Sequence, residues 1–179
     1  MKNTLSISRI SIAMLLAFGL AACGKIGHTE PKIVASDDSS SQVMVPAGWK
    51  PHGDLNQEAN IQVADLKNSG YLIVISEPKI DFDEITYKEH SDLTRIGLLE
   101  NVKKSRIVEG PLELMIQGRS AVQYEIHGSV NGIRVIYLHT TVDGINSFHQ
   151  ILAWTTPSRM TKNRSALESV AQSFREIDL

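Results

Sequence analysis

The stretch from Ser105 to Thr156 constrains this chain most: apolar and polar residues alternate almost without break, interrupted by the dipeptides Asn131-Gly132 and Asp143-Gly144. Alternation with period two puts successive side chains on opposite faces of a strand, and Asn-Gly and Asp-Gly tolerate the positive φ angles of two-residue hairpin turns. The spacing predicts an antiparallel meander. Tight turns at both dipeptides set His127 opposite Ile136, Glu125 opposite Leu138, and Leu138 in turn opposite His149.

The flanking sequence supplies the remaining elements. Gln42-Val43-Met44-Val45 is a short strand stopped by Pro46-Ala47-Gly48, with Trp49 as a core plug under the turn. Ala59 to Leu66 alternates and Tyr71 to Ser76 is almost wholly apolar, which reads as a hairpin entering a buried sheet. Asp81 with Glu84 three residues later, flanked by Ile80 and Ile85, has the form of a helix start. Ile85, Leu93, Ile96 and Leu99 form its interrupted apolar stripe, and Lys103-Lys104 oppose the helix dipole in its last turn. Thr156-Pro157 opens a second helix, in which Met160, Leu167, Val170 and Ala171 recur at three and four.

The N-terminus reads as an address. Lys2 and Arg9 precede the apolar run Ile10 to Leu20, which is too short to span a bilayer and is followed by small residues, as in a secretory signal peptide. The only cysteine, Cys23, comes next, where a lone thiol in an exported domain has no internal disulfide partner. Leu20-Ala21-Ala22-Cys23-Gly24 resembles the lipobox of bacterial lipoproteins, which implies a membrane anchor through lipid on Cys23. Gly24 lacks the aspartate that retains enterobacterial-type lipoproteins at the inner membrane, which directs the expectation to the outer membrane, facing the periplasm. The expected organisation is a signal peptide over 1–22, a lipidated cysteine and flexible Gly/Ser/Asp-rich tether over 23–41, and one domain over 42–179.

The order of strands, central helix, meander and closing helix resembles the PsbP-like family, which includes Ran-binding Mog proteins and DcrB-type lipoproteins. The resemblance rests on Val45-Pro46-Ala47-Gly48-Trp49, on Gly118 to Tyr124 leading into the meander, and on the closing Ala171-Gln172-Ser173-Phe174. It implies an α+β fold, an α/β/α sandwich around an antiparallel sheet of six to seven strands, in proteins that mostly bind other proteins or assist assemblies.

Chemical motifs are scarce. Gly118-Arg119-Ser120-Ala121-Val122 lacks the second glycine of a nucleophile elbow, and Gly128-Ser129-Val130-Asn131-Gly132 has its serine one place early. No phosphate loop, His-Glu-x-x-His or cysteine pair is present in the sequence, so no cofactor or metal is expected. With 18 basic and 20 acidic residues and no basic block, nucleic acid is not an expected partner. One constellation stands out: Glu125, His127 and His149 share a sheet face in the expected register. Two imidazoles and a carboxylate suit metal binding or acid–base chemistry, but Ile136, Leu138 and Ile151 on the same face favour structural roles. His139 is expected on the opposite face, in an aromatic core with Tyr124, Tyr137 and Phe148.

The expected function is therefore a non-enzymatic, membrane-anchored lipoprotein that binds a protein partner or serves envelope assembly. The alternatives are an immunity protein or chaperone for a secreted effector, and an enzyme or small-ligand binder using the Glu125/His127/His149 face.

Overall fold

The computed structural model of the chain describes residues 30–177. Cys23 and the leader lie outside the described residues. Strands β1 (Lys32–Ala35), β2 (Ser41–Val45), β3 (Lys50–Pro51), β4 (Ile61–Asp65) and β5 (Gly70–Pro78) lead to helix α1 (Tyr87–Asn101). The meander follows as β6 (Lys103–Ile116), β7 (Arg119–Val130), β8 (Ile133–Asp143) and β9 (Ser147–Thr155), then helix α2 (Pro157–Gln172) and β10 (Arg175–Glu176). Seven strands form an antiparallel sheet in the order β3-β4-β5-β9-β8-β7-β6, and β1, β2 and β10 form a small second sheet.

A helix covers each face of the large sheet. On one side α2 buries Met160, Leu167 and Val170, with Phe174 just beyond it, against Leu72, Val74, Leu138 and Ile151, and β2 and Trp49 complete this core. On the other, Leu98 and Leu99 of α1 and the adjoining Val102 pack against Ile73, Ile126 and Leu152. This is the α/β/α sandwich that the resemblance to the PsbP-like family implies. Among the described residues no helix is long and apolar enough to cross a membrane.

The structure corrects the expected elements at several points. Helix α1 begins at Tyr87, not near Asp81, which instead closes a short 3-10 turn over Lys79–Asp81. The cap is Thr86: its hydroxyl accepts from Glu89 N at 3.3 Å while the Glu89 carboxylate accepts from Thr86 N at 2.7 Å. Lys103 and Lys104 are not in a helix end but open β6, because Val102 turns into the core. Gly128 makes room for it, since a Cβ at that position would lie 2.2 Å from Val102 Cγ1. Ordered structure also begins within the span 23–41 expected as a tether. Residues Lys32 to Ala35 pair with β2, and the Ser/Asp run is a tight turn, with Ser36 Oγ donating to Asp38 Oδ1 at 2.6 Å and accepting from Ser41 N at 3.1 Å.

Candidate functional site

The β7–β8 hairpin turns at Asn131 and Gly132, both at positive φ, and pairs His127 with Ile136 and Glu125 with Leu138, as the sequence predicts. The β8–β9 hairpin does not turn within Asp143-Gly144. Neither residue adopts positive φ, and Asp143 pairs with Phe148 across a wider loop. Remote side chains hold that loop open: Lys79 Nζ donates to Asp143 Oδ1 and to Gly144 O, each at 2.7 Å, and Ile145 N donates to Glu176 Oε2 at 2.7 Å.

His149 consequently faces Val142 rather than Leu138, a slip of four residues, or about 13 Å along the strand. An even slip keeps the side chain on its expected face. The three residues therefore share a face but divide into two separate sites.

The first is a salt-bridge cluster. Glu125 is buried and accepts from Arg164 Nη2 of α2 at 2.6 Å, while its other oxygen lies 2.6 Å from His127 Nε2. Burial pushes the Glu125 carboxyl up, but the hydrogen bonds from Arg164 and His127 outweigh it and leave the group below its ordinary range. The cavity beside it, bounded by Leu112, Gln123 and Leu138, measures about 70 Å³ and has room for a few waters only. Arg164 of α2 lies over Glu125 at this end of the face, while the His127 side chain keeps 29% exposure. No group of three or more His, Cys, Asp or Glu is placed to hold a metal among the described residues.

The second is a polar cavity of about 670 Å³ between the β1–β2 turn, the ends of β5 and β9, and β10. His149 forms its inner wall at 3% exposure. Ser76, its directly paired neighbour on β5, places Oγ 2.9 Å from Nδ1. Nε2 lies 3.4 Å from Glu176 Oε1 and has no hydrogen-bond partner. Burial pushes the His149 pKa down; Glu176 opposes this, and Lys79 and Arg119 add to it. Glu176 is itself fixed by Ile145 N and flanked by Arg119 Nη2 at 3.7 Å. Sequence reasoning missed Arg164, Ser76 and Glu176, because none carries a local signal and only the register and the α2 docking bring them to the histidines.

A third feature lies under α1. His90 and Ser91 are its fully buried residues, whereas Leu93 and Ile96, expected to face inward, are 56% and 50% exposed. His90 Nε2 meets Glu77 Oε2 at 2.9 Å, and its ring stacks on Phe148 with centroids 4.7 Å apart. His139, expected within an aromatic core, lies beneath the helix with Nε2 3.1 Å from Thr94 Oγ1; Tyr124 is its aromatic neighbour, and Phe148 belongs to His90. Five buried polar atoms in this layer lack partners: His90 Nδ1, Ser91 Oγ, Arg95 Nε, His139 Nδ1 and Thr141 Oγ1.

No family model matches the chain, and no curated protein does. Solved structures match it over most of its length. The cyanobacterial PsbP of Synechocystis sp. PCC 6803 is 16% identical, with 88% of this chain and 99% of that chain covered and a TM-score of 0.61. LpqN of Mycobacterium tuberculosis, described as involved in cell envelope biogenesis, is 15% identical over 83% of this chain and 91% of that chain, with a TM-score of 0.61. The Ran-binding protein Mog1p of Saccharomyces cerevisiae is 12% identical over 83% of this chain and 96% of that chain, with a TM-score of 0.54. The chain therefore has the PsbP-like fold, the class its own alternation and closing helix resemble.

Proposed function

We propose that the chain is a non-enzymatic lipoprotein, anchored through Cys23 in the outer membrane with its domain facing the periplasm, that binds a protein partner as an adaptor or envelope assembly factor. One observation carries the binding role: α1 exposes Leu93 and Ile96 to solvent while it buries the polar His90 and Ser91, although Leu98 and Leu99 at its end pack inward. A surface helix stabilised only by its own domain buries its apolar stripe. Leu93 and Ile96 do the opposite, and the orphaned polar atoms beneath them gain nothing from that orientation. Exposed apolar residues spaced along one helix face support a protein-binding role for it.

The edge of the large sheet is a poorer docking site. Strand β6 is interrupted by register shifts and carries Pro111, devices that blunt edge-to-edge pairing. Two descriptions accord with the reading, since LpqN is linked to envelope biogenesis and Mog1p to binding Ran, both on this fold. The Leu20-to-Gly24 lipobox supports the anchor.

In-cell crosslinking of the full-length chain, followed by mass spectrometry, tests this. A single abundant protein crosslinked to the wild type and lost in Leu93→Glu/Ile96→Glu supports the reading. Crosslinking unaffected by those substitutions removes α1 from the interface.

A further inference from the structure

The cavity at His149 lies on the opposite face of the sheet from the outer side of α1, and nothing in the protein-binding reading uses it. We propose that it binds a neutral sugar ring, held by hydroxyl contacts to Asp38, Asn60, Asn146 and Ser147.

The free hydrogen-bonding capacity of its wall decides the ligand class. Asp38 directs Oδ1 to the Ser36 and Ser40 hydroxyls and to Ser40 N, which leaves Oδ2 as an acceptor. Asn60 accepts from Ser76 N at 2.7 Å through Oδ1, which leaves Nδ2 as a donor. Asn146 and Ser147 line the same cavity with uncommitted side chains. Donors and acceptors thus alternate around one space, which suits hydroxyl groups, since each hydroxyl both donates and accepts.

A simple ion fits less well. Glu176 and Asp38 repel an anion, while Arg119 at 3.7 Å and the Ile145 amide already balance the Glu176 carboxylate that a cation needs. Pro78, Ile145 and Ile177 supply apolar walls for the C–H faces of a ring. His149, with Nε2 3.4 Å from Glu176 Oε1, closes the inner end of the cavity and leaves the outer wall to Asp38, Asn60, Asn146 and Ser147. A volume of about 670 Å³ falls within the range of small-molecule sites.

Saturation-transfer NMR on the full-length chain in detergent micelles tests the assignment, with glucose and N-acetylglucosamine as probes and acetate and ethylamine as charged controls. Saturation of sugar ring protons, with no transfer to either control, is the expected result. Asn146→Ala, at an exposed loop position, weakens sugar binding about three- to tenfold, the worth of one hydrogen bond. Ser147→Trp fills the cavity and abolishes binding, with circular dichroism showing that both variants stay folded. The proposal is overturned if neither sugar binds at tens of millimolar, if binding survives both substitutions, or if a charged control binds in place of the sugars.

Discussion

Thr94 on α1 and His139 on β8 meet beneath the helix, with Thr94 Oγ1 3.1 Å from His139 Nε2 and 3.1 Å from His90 O. The Nδ1 atom of His139 has no hydrogen-bond partner, and the residue has no exposure. Burial, reinforced by Arg95, pushes the His139 pKa down to about 4.

That depression makes stability depend on pH in a defined direction. Below the ordinary histidine value of about 6.5 the unfolded chain takes up a proton that the native chain refuses until about pH 4. Stability is therefore complete above pH 6.5 and falls as the pH drops to 4, by about 3 kcal/mol for this residue alone. Burial depresses His90 and His149 as well, which adds to the loss in the same direction. Urea unfolding at pH 7.5 and 4.5 measures the difference. A flat profile would show that the three rings are not buried in neutral form.

Arg164 and Glu125 form the pair that closes α2 over the meander. Removing the guanidinium in Arg164→Ala leaves a buried carboxylate with the His127 contact as its one remaining side-chain partner. Arg164 is 40% exposed, so solvent screens much of the loss. The expected destabilisation is about 1–2 kcal/mol. Glu125→Gln introduced into the Arg164→Ala background recovers part of it, since the amide has no charge to leave unpaired; thermal melts of the single and double variants provide the check.

Leu167 and Leu93 have the same side chain in opposite settings. Leu167 has no exposure and packs from α2 onto the sheet, so Leu167→Ala is expected to cost about 2–5 kcal/mol. Leu93 is 56% exposed, and Leu93→Ala should change stability by less than about 0.5 kcal/mol while weakening partner crosslinking. Comparable losses of stability in the two variants would place Leu93 in the core and remove the basis for the docking face.

The sequence made the sheet legible wherever one local signal set the geometry. Asn131-Gly132 fixed its hairpin, and through it the placement of Glu125 and His127. Asp143-Gly144 failed because the loop conformation is imposed by Lys79 and Glu176, residues more than thirty positions away in either direction. The start of α1 was ambiguous for a different reason: Asp81 with Glu84 and Thr86 with Glu89 are equivalent capping patterns a few residues apart, and only the second forms its reciprocal hydrogen bonds. The outward placement of Leu93 and Ile96 was illegible because an apolar stripe indicates which side is hydrophobic, not how much of that side meets the sheet.

Gly144 carries a consequence of the wide β8–β9 loop. A Cβ there would lie 2.5 Å from His149 Nε2 and 2.5 Å from Ser147 O, both of them walls of the polar cavity. Backbone cannot retreat as a flexible side chain does, so Gly144→Ala is expected to destabilise the fold by about 1–3 kcal/mol and to displace His149. Gly53→Ala, where nothing lies within 4 Å of the added atom, is the matched control and should be close to neutral. Two-dimensional NMR distinguishes the two, with shifts at Ser76, His149 and Glu176 for Gly144→Ala only.

The anchor can be separated from the fold by one substitution. Among the described residues the buried apolar residues lie between Val43 and Phe174, and the first strand begins at Lys32, nine positions beyond Cys23. Cys23→Ser should therefore leave the urea midpoint of the domain unchanged while moving the protein from the membrane to the soluble fraction of the cell. Fractionation with immunoblotting reads the second effect, and unfolding of the purified variant the first. A Cys23→Ser protein that stays with the membrane would refute anchoring through that cysteine and make the binding face on α1 the next candidate for membrane association.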